Sequence, residues 1–165
     1  MRVFKTEVFM EIKRANEKDI KEILRLLSQV LEIHAQIRPD IFIPGTTKYR
    51  EDELLSIIKD ESRPVFVAKE NGELLGYCFC VIKKPAFETT MKPQKSLYID
   101  DLCVDASARS RGVGKALFEY VKKRAKELGC NEITLAVWEG NDNARAFYEK
   151  MGMTPKETIM EIKLS

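Results

Sequence analysis

Histidine is all but absent: His34 is the single imidazole in 165 residues. The four cysteines (Cys78, Cys80, Cys103 and Cys130) show no metal-ligand spacing, so a zinc centre is not expected. Cys78 and Cys80 stand two apart in an expected strand, on one face and poorly placed to bond each other. No apolar run approaches membrane-spanning length, and the N-terminus shows no signal-peptide apolar region. A reduced, cytoplasmic protein that does not enter a membrane is therefore the expectation. Net charge is scarce as well, since 28 basic and 26 acidic residues, interleaved, leave only +2. Wholesale nucleic-acid binding is not suggested by that balance. Repeats, low-complexity tracts and long linkers are also lacking.

What is present is the composition of a globular domain, 44% hydrophobic and 33% charged over a length that buries a real core. Residues 1–9 read as an extension, and residues 10–165 as one domain. "MEIKRA" reads as a strand. Asn16, with Asp19 three residues on, imitates a capping box ahead of Ile20, Ile23, Leu24, Leu27, Val30 and Leu31, a helical stripe that ends before Pro39. Thr46 or Thr47 is placed to cap a second helix carrying Leu54, Leu55, Ile57 and Ile58. Asn71-Gly72 between two apolar β-rich runs is a hairpin signal, because both residues tolerate positive φ. "SLYIDDLCV" follows as a strand, then a helix with the stripe Ala116, Leu117, Tyr120, Val121, Ala125 and Leu128, stopped by Gly129. "EITLAVW" is a strand, "NDNARAFYEKMG" a short helix closed by Gly152, and "ETIMEIKL" an alternating last strand. The expected order is β-α-α-β-β-β-α-β-α-β, an α/β fold with a mixed sheet.

The chemistry concentrates in three stretches. In "RSRGVG", a strand-to-helix connection places Gly112 and Gly114 at a helix start, where unpaired amides and the helix dipole suit an anion. Without Cβ atoms there, a phosphate can approach the backbone, and Arg109, Arg111 and Lys115 add charge. The plainer alternative is a tight turn with solvent-facing bases. A dinucleotide G-x-G-x-x-G is excluded, because Ala116 and Leu117 follow the second glycine, and the P-loop pattern is missing. In "LYIDDLCV", Asp100 and Asp101 are expected on opposite faces of a strand, so that at most one looks into a given cleft. Solvated or ion-paired strand-end residues are the alternative for both. Tyr148 lies at helical spacing with Ala144, Phe147 and Met151, as an ordinary core aromatic would. His34, on the apolar side of the first helix, reads as packed rather than catalytic, and Trp138 as core or rim.

Taken together and in order, "RSRGVG" and Asn141-x-x-Ala144-x-x-Phe147-Tyr148 resemble the paired signature of the GNAT superfamily of N-acetyltransferases. The resemblance runs from about Met10 to Leu164. It implies a GNAT fold, with a splayed pair of strands and helices on both faces, that uses acetyl-CoA as co-substrate and no metal. Carried onto this sequence, it implies that Leu102, Cys103 and Val104 offer backbone groups to the pantetheine arm and polarise the thioester carbonyl. The pyrophosphate would lie on the amides of Ser110, Arg111, Gly112, Val113, Gly114 and Lys115, beside Arg109, with Asn141 reaching the pantetheine. Tyr148 would protonate the departing thiolate. Ala106 and Ala108 depart from the family, which often has a proline and an aromatic there. The stretch "KSLYIDDLCV" is also similar to polyamine and thialysine acetyltransferases, which implies Asp100 as the base, through a water, and Asp101 as a group orienting a cationic amine. A small cationic amine, a lysine side chain and a protein N-terminus remain open as acceptors, and homodimers are common in the superfamily. The alternative from another class is a non-catalytic acyl-CoA-binding or sensor domain.

Overall fold

A computed structural model describes residues 9–164; all of the expected extension except Phe9 lies outside the described residues. The strands are β1 (Met10–Arg14), β2 (Val65–Glu70), β3 (Glu73–Lys83), β4 (Ser96–Val104) and β5 (Glu132–Leu135), joined in that order into one sheet. β1 through β4 pair antiparallel, while β4 and β5 run parallel, so the sheet is mixed. The helices are α1 (Ile20–Ile37), α2 (Glu51–Lys59), α3 (Val113–Glu127) and α4 (Asp142–Lys150).

Local chemistry sets several of these boundaries. The Asn16 side chain accepts from the Lys18 amide at 3.0 Å, and Asp19 Oδ2 accepts from the Asn16 amide at 2.9 Å, which starts α1 through a short 3-10 turn. α1 stops at Ile37, with Arg38 leaving the helical region at φ -130 and ψ 69, because Pro39 crowds a helical residue before it. α2 starts differently from expectation. Thr46 turns its hydroxyl onto the Ile43 carbonyl instead of capping, and the helix begins at Arg50, whose amide donates to Glu53 at 2.8 Å. The hairpin turn holds Asn71 at φ 53 and Gly72 at φ 82, the positive-φ pair such a tight connection requires.

Two apolar layers sandwich the sheet. α1 and α2 close one face through Ile23, Leu26, Leu27, Leu54 and Ile57, which meet Val65, Val67, Tyr77 and Phe79. α3 closes the other with Leu117, Phe118, Val121 and Ala125 against Cys78, Leu97 and Ile99, and α4 lays Phe147 and Tyr148 at its margin. Each fully buried side chain of that size contributes about 1.5–3 kcal/mol, so these layers are the main source of stability.

Two features position the site. β4 pairs with β5 only from Ser96↔Glu132 to Ile99↔Leu135, and beyond Ile99 it runs on to Val104 bonded to β3 alone. The strand expected through Trp138 ends at Leu135, the last residue paired with β4, so a gap in the pairing lies beside residues 100–104 of β4. The second feature corrects the sequence reading: "ETIMEIKL" is not a strand. Residues 154–164 form no ladder and are exposed throughout.

Candidate active site

The mouth of the gap is built from the β4-to-α3 connection. Asp105 fixes it by accepting from the Ser107 amide at 2.9 Å and the Ser107 hydroxyl at 2.8 Å, and by pairing with Arg25 at 2.5 Å. Burial opposes charge on this carboxyl, but those partners outweigh it and hold the group down at about 2. Ala106–Ala108 make one 3-10 turn with Ala108 fully buried, so the small residue is required by the packing here. The chain then passes Ser110 at φ 63 and Gly112 at φ 79 before α3 begins.

Gly112 is the N-cap of α3 and offers no side-chain acceptor, and the first intrahelical bond goes from the Ala116 amide to the Gly112 carbonyl at 3.0 Å. The amides of Val113, Gly114 and Lys115 therefore point out of the helix without a protein acceptor among the described residues. A Cβ on Gly112 would meet nothing within 4 Å, so the space beside these amides is open. Gly114 serves a second purpose: a Cβ there would touch the Phe147 ring at 3.4 Å, so its smallness lets α4 close against α3. Val113 sends its side chain into the core and leaves only its amide for a ligand. Of the basic cluster, Arg111 is ion-paired with Glu70 at the end of β2, whereas Arg109 and Lys115 are exposed with no ion-pair partner among the described residues. An uncapped helix start, open space and two unpaired cations suit a polyanionic ligand.

Along the part of β4 without a β5 partner, Cys103 turns toward α1, its Sγ 3.7 Å from the Leu26 carbonyl, and burial pushes the thiol up to about 12. Leu102 and Val104 pack on the α3 side. Neither side chain is chemically active, but the backbone of all three borders the gap without a β5 partner. On the far side, Asn141 caps α4 by accepting from the Ala144 amide at 3.3 Å, which occupies its carbonyl and leaves its amide N–H groups for a ligand.

The carboxylates overturn the expected alternation. The β3–β4 register slips between Phe79 and Cys80, pairing Phe79 with Asp101 and Cys80 with Ile99, so Asp100 is an extra residue. This bulge resets the period of two, and Asp100 and Asp101 face the same side of the sheet, toward α1 and α2. Asp101 accepts from the Tyr77 hydroxyl at 2.8 Å. Burial raises its carboxyl to about 6, against the lowering effects of Tyr77 and the Lys48 charge. Asp100 binds the Lys48 ammonium at 2.6 Å, beside the Tyr49 hydroxyl at 3.5 Å. Burial alone would lower Lys48, but the hydrogen bond and charge of Asp100 keep the ammonium above its ordinary range. The roles of Lys48, Tyr49 and Tyr77 are not legible in the sequence, because nothing in "TTKYR" or "LLGYC" signals a contact across some fifty or twenty-four residues.

Tyr148 is half-buried, its ring 6.3 Å from Phe118 and 5.1 Å from Phe147. Burial, with the neighbouring charges of Cys78 and Asp101, pushes its hydroxyl well above the ordinary range, so the proton is retained at neutral pH. Among the described residues that hydroxyl has no hydrogen-bond partner, yet it is not sealed away from solvent. The outer rim is aromatic: His34 meets Phe42 at a tilt with ring centres 5.2 Å apart, Phe42 meets Trp138 edge-on at 5.5 Å, and Arg38 lies 5.5 Å over the Trp138 ring. Burial and the Lys48 charge lower His34, consistent with a neutral packed imidazole. Among the described residues, no set of three His, Cys, Asp or Glu side chains could hold a metal ion, and no helix is long and apolar enough to cross a membrane.

Comparison with known proteins bears directly on this geometry. Residues 27–153 match the family model described as "Acetyltransferase (GNAT) family". An uncharacterized N-acetyltransferase of Lactobacillus delbrueckii subsp. lactis is 31% identical over 104 residues, 63% of this chain and 59% of that protein. The thialysine N-epsilon-acetyltransferase of Bos taurus is 26% identical over 154 residues, 87% of this chain and 84% of that protein. A crystallised protein of Bacillus halodurans superposes with a TM-score of 0.88 at 31% identity, covering 94% of this chain and 99% of that one.

Proposed function

The chain belongs to the GNAT acetyltransferase family, and on that premise we propose that it transfers the acetyl group of acetyl-CoA to a cationic primary amine by direct attack. The observation that carries the acceptor class is the pair of carboxylates brought to one face by the β4 bulge, with a primary ammonium, that of Lys48, already resting on Asp100. The bovine relative, named for transfer to the ε-nitrogen of thialysine, is consistent with an amine of this kind.

The uncapped amides of Val113, Gly114 and Lys115, the open space beside Gly112, and Arg109 and Lys115 fit the pyrophosphate of CoA. Acetyl-CoA, when bound, supplies an activated thioester and a thiolate leaving group. Residues 102–104, unpaired on their β5 side, hold backbone groups for the pantetheine and the thioester carbonyl. The Asn141 amide N–H groups serve the same arm.

For the two carboxylates, the geometry favours the reverse of the assignment implied by resemblance. Asp100, exposed enough to exchange Lys48 for a substrate ammonium, binds and orients the acceptor. Asp101, raised to about 6 and steadied by Tyr77, takes the proton that an alkylammonium must lose before it attacks. Tyr148, kept protonated by burial, donates to the leaving sulfur. Release of CoA thiol, measured with acetyl-CoA against diamines, polyamines, lysine analogues and peptides, tests the proposal. Turnover with cationic amines is expected. Thermal stabilisation by CoA without thiol release for any acceptor would instead identify a binding or sensor domain.

A further inference from the structure

One primary ammonium of the chain already stands where the acceptor is placed above. Lys48 Nζ is 2.6 Å from Asp100 Oδ2, and its charge also reaches Asp101, whose carboxyl it pulls down against burial. The segment that carries it is fixed in place. Tyr49 stacks on Phe79 of β3 with ring centres 5.8 Å apart, and Phe79 is the residue paired with Asp101 across the ladder. The Tyr49 hydroxyl lies 3.5 Å from the same Asp100 oxygen. The Gly45 amide donates to Glu32 of α1 at 2.7 Å, and the Arg50 amide to Glu53 of α2. Residues 45–50 thus form a strap from α1 to α2 that hangs one lysine on the carboxylate pair. Lys13, Lys59, Lys69, Lys156 and Lys163 pair with other carboxylates, and among the described residues no lysine but Lys48 is bonded to Asp100 or Asp101.

We propose that Lys48 is itself an acceptor: with no amine bound, the enzyme acetylates its own Lys48, and the modification opens Asp100 to substrate. This rests on the reaction proposed above and adds a self-acting step at the same site. Asp101 takes one proton from the Lys48 ammonium, and the freed nitrogen attacks the thioester carbonyl carbon of acetyl-CoA. The N–C bond forms and the C–S bond breaks. Tyr148 gives its proton to the leaving sulfur and recovers one from the new amide nitrogen, while Asp101 passes its proton to water. The products are Nε-acetylated Lys48, CoA thiol and one proton. Because the nitrogen is tethered at the carboxylates, no second molecule has to be captured. The ion pair holds the ammonium charged, so the step is slow and happens once per chain. An acetylated Lys48 carries no charge and no longer competes for Asp100, which keeps only the Tyr49 hydroxyl among the described residues.

Covalent mass, read on the chain itself, tests the proposal. Incubated with acetyl-CoA and no amine, the full chain should gain one acetyl group, located at Lys48 by peptide mapping. N-hydroxysuccinimidyl acetate, which reads intrinsic reactivity, should modify ion-paired Lys48 later than exposed Lys21 and Lys123. Acetyl-CoA should invert that order and modify Lys48 about 10²-fold faster than either, the scale of general-base catalysis. The rate constant should not change on dilution, and Asp101→Asn and Gly112→Asp should each lose the modification. Chain acetylated beforehand should show a several-fold lower KM for cationic amines. Turnover of free amines with Lys48 left unmodified overturns this inference and leaves the proposed reaction standing. No thiol release from any amine and none from Lys48 overturns both. Acetylation that persists in Gly112→Asp is chemical, and acetylation that slows on dilution passes between copies; either result overturns the self-acting step. An unchanged or raised amine KM after acetylation overturns the opening of Asp100.

Discussion

Replacing Asp101 by Asn separates what this carboxylate does for chemistry from what it costs the fold. Its carboxyl is raised from an ordinary 3.8 to about 6, so the native state holds this proton more tightly than the unfolded chain does. Stability from this group is fully present below the unfolded value and is lost as pH rises from about 4 through about 6. Two pKa units correspond to about 3 kcal/mol, and the partial exposure of Asp101 reduces that to about 1–2 kcal/mol. Asn keeps an acceptor for the Tyr77 hydroxyl but carries no charge to desolvate. Asp101→Asn should therefore melt about 2–8 °C above the native protein at pH 8 and at nearly the same temperature at pH 4.5. The same variant should lose about 10²–10⁴ in turnover, the usual worth of a general base. In the native enzyme kcat/KM should climb through a limb near pH 6, and the variant should lack that limb. Asp100→Asn should act mainly on the KM of the amine. Calorimetry at the two pH values and pH–rate profiles of both variants provide the measurement. If Asp100→Asn removes the limb near pH 6 while Asp101→Asn raises only KM, the roles stand as the family resemblance implies and the present reasoning fails.

Tyr148→Phe should leave the packing against Phe118 and Phe147 intact and acetyl-CoA affinity near normal, but lower turnover by about 10²-fold or more; unchanged turnover removes Tyr148 from the reaction. Gly112→Asp should abolish CoA binding in calorimetric titration by setting a carboxylate beside the uncapped α3 amides, where binding to the variant would refute the phosphate site. Gly112→Ala is the control, since it pays only the positive-φ cost of about 1–2 kcal/mol. Lys48→Met should lower the KM of cationic acceptors several-fold, because the substrate no longer competes with a tethered ammonium for Asp100; a raised KM would mean that Lys48 helps to bind the acceptor.

Much of the fold is legible in local sequence because its causes are local. Asn16 with Asp19, the helical stripe ahead of Pro39 and the Asn71-Gly72 turn act through neighbouring residues, and the structure places them where local rules expect. The uncapped start of α3, proposed here as the anion site, is legible for the same reason, being a helix start with glycine at its cap. "ETIMEIKL" is the exception in kind: its alternation is that of a strand, but a strand needs a partner, and it has none among the described residues.

The sequence by itself determined most of the elements, though not the last strand, together with the family signature and the presence of two carboxylates ahead of the glycine turn. Only the tertiary structure decided which way those carboxylates face. Strict alternation sets Asp100 and Asp101 on opposite sides, but a register slip against β3, invisible to any count along β4, turns both toward α1 and α2. Burial then separates them. Asp101 lies against Tyr77 and is hard to ionise, while Asp100 reaches the lysine of a distant loop. A pKa depends on what surrounds a group in three dimensions, and the surroundings of these two come from residues far along the chain.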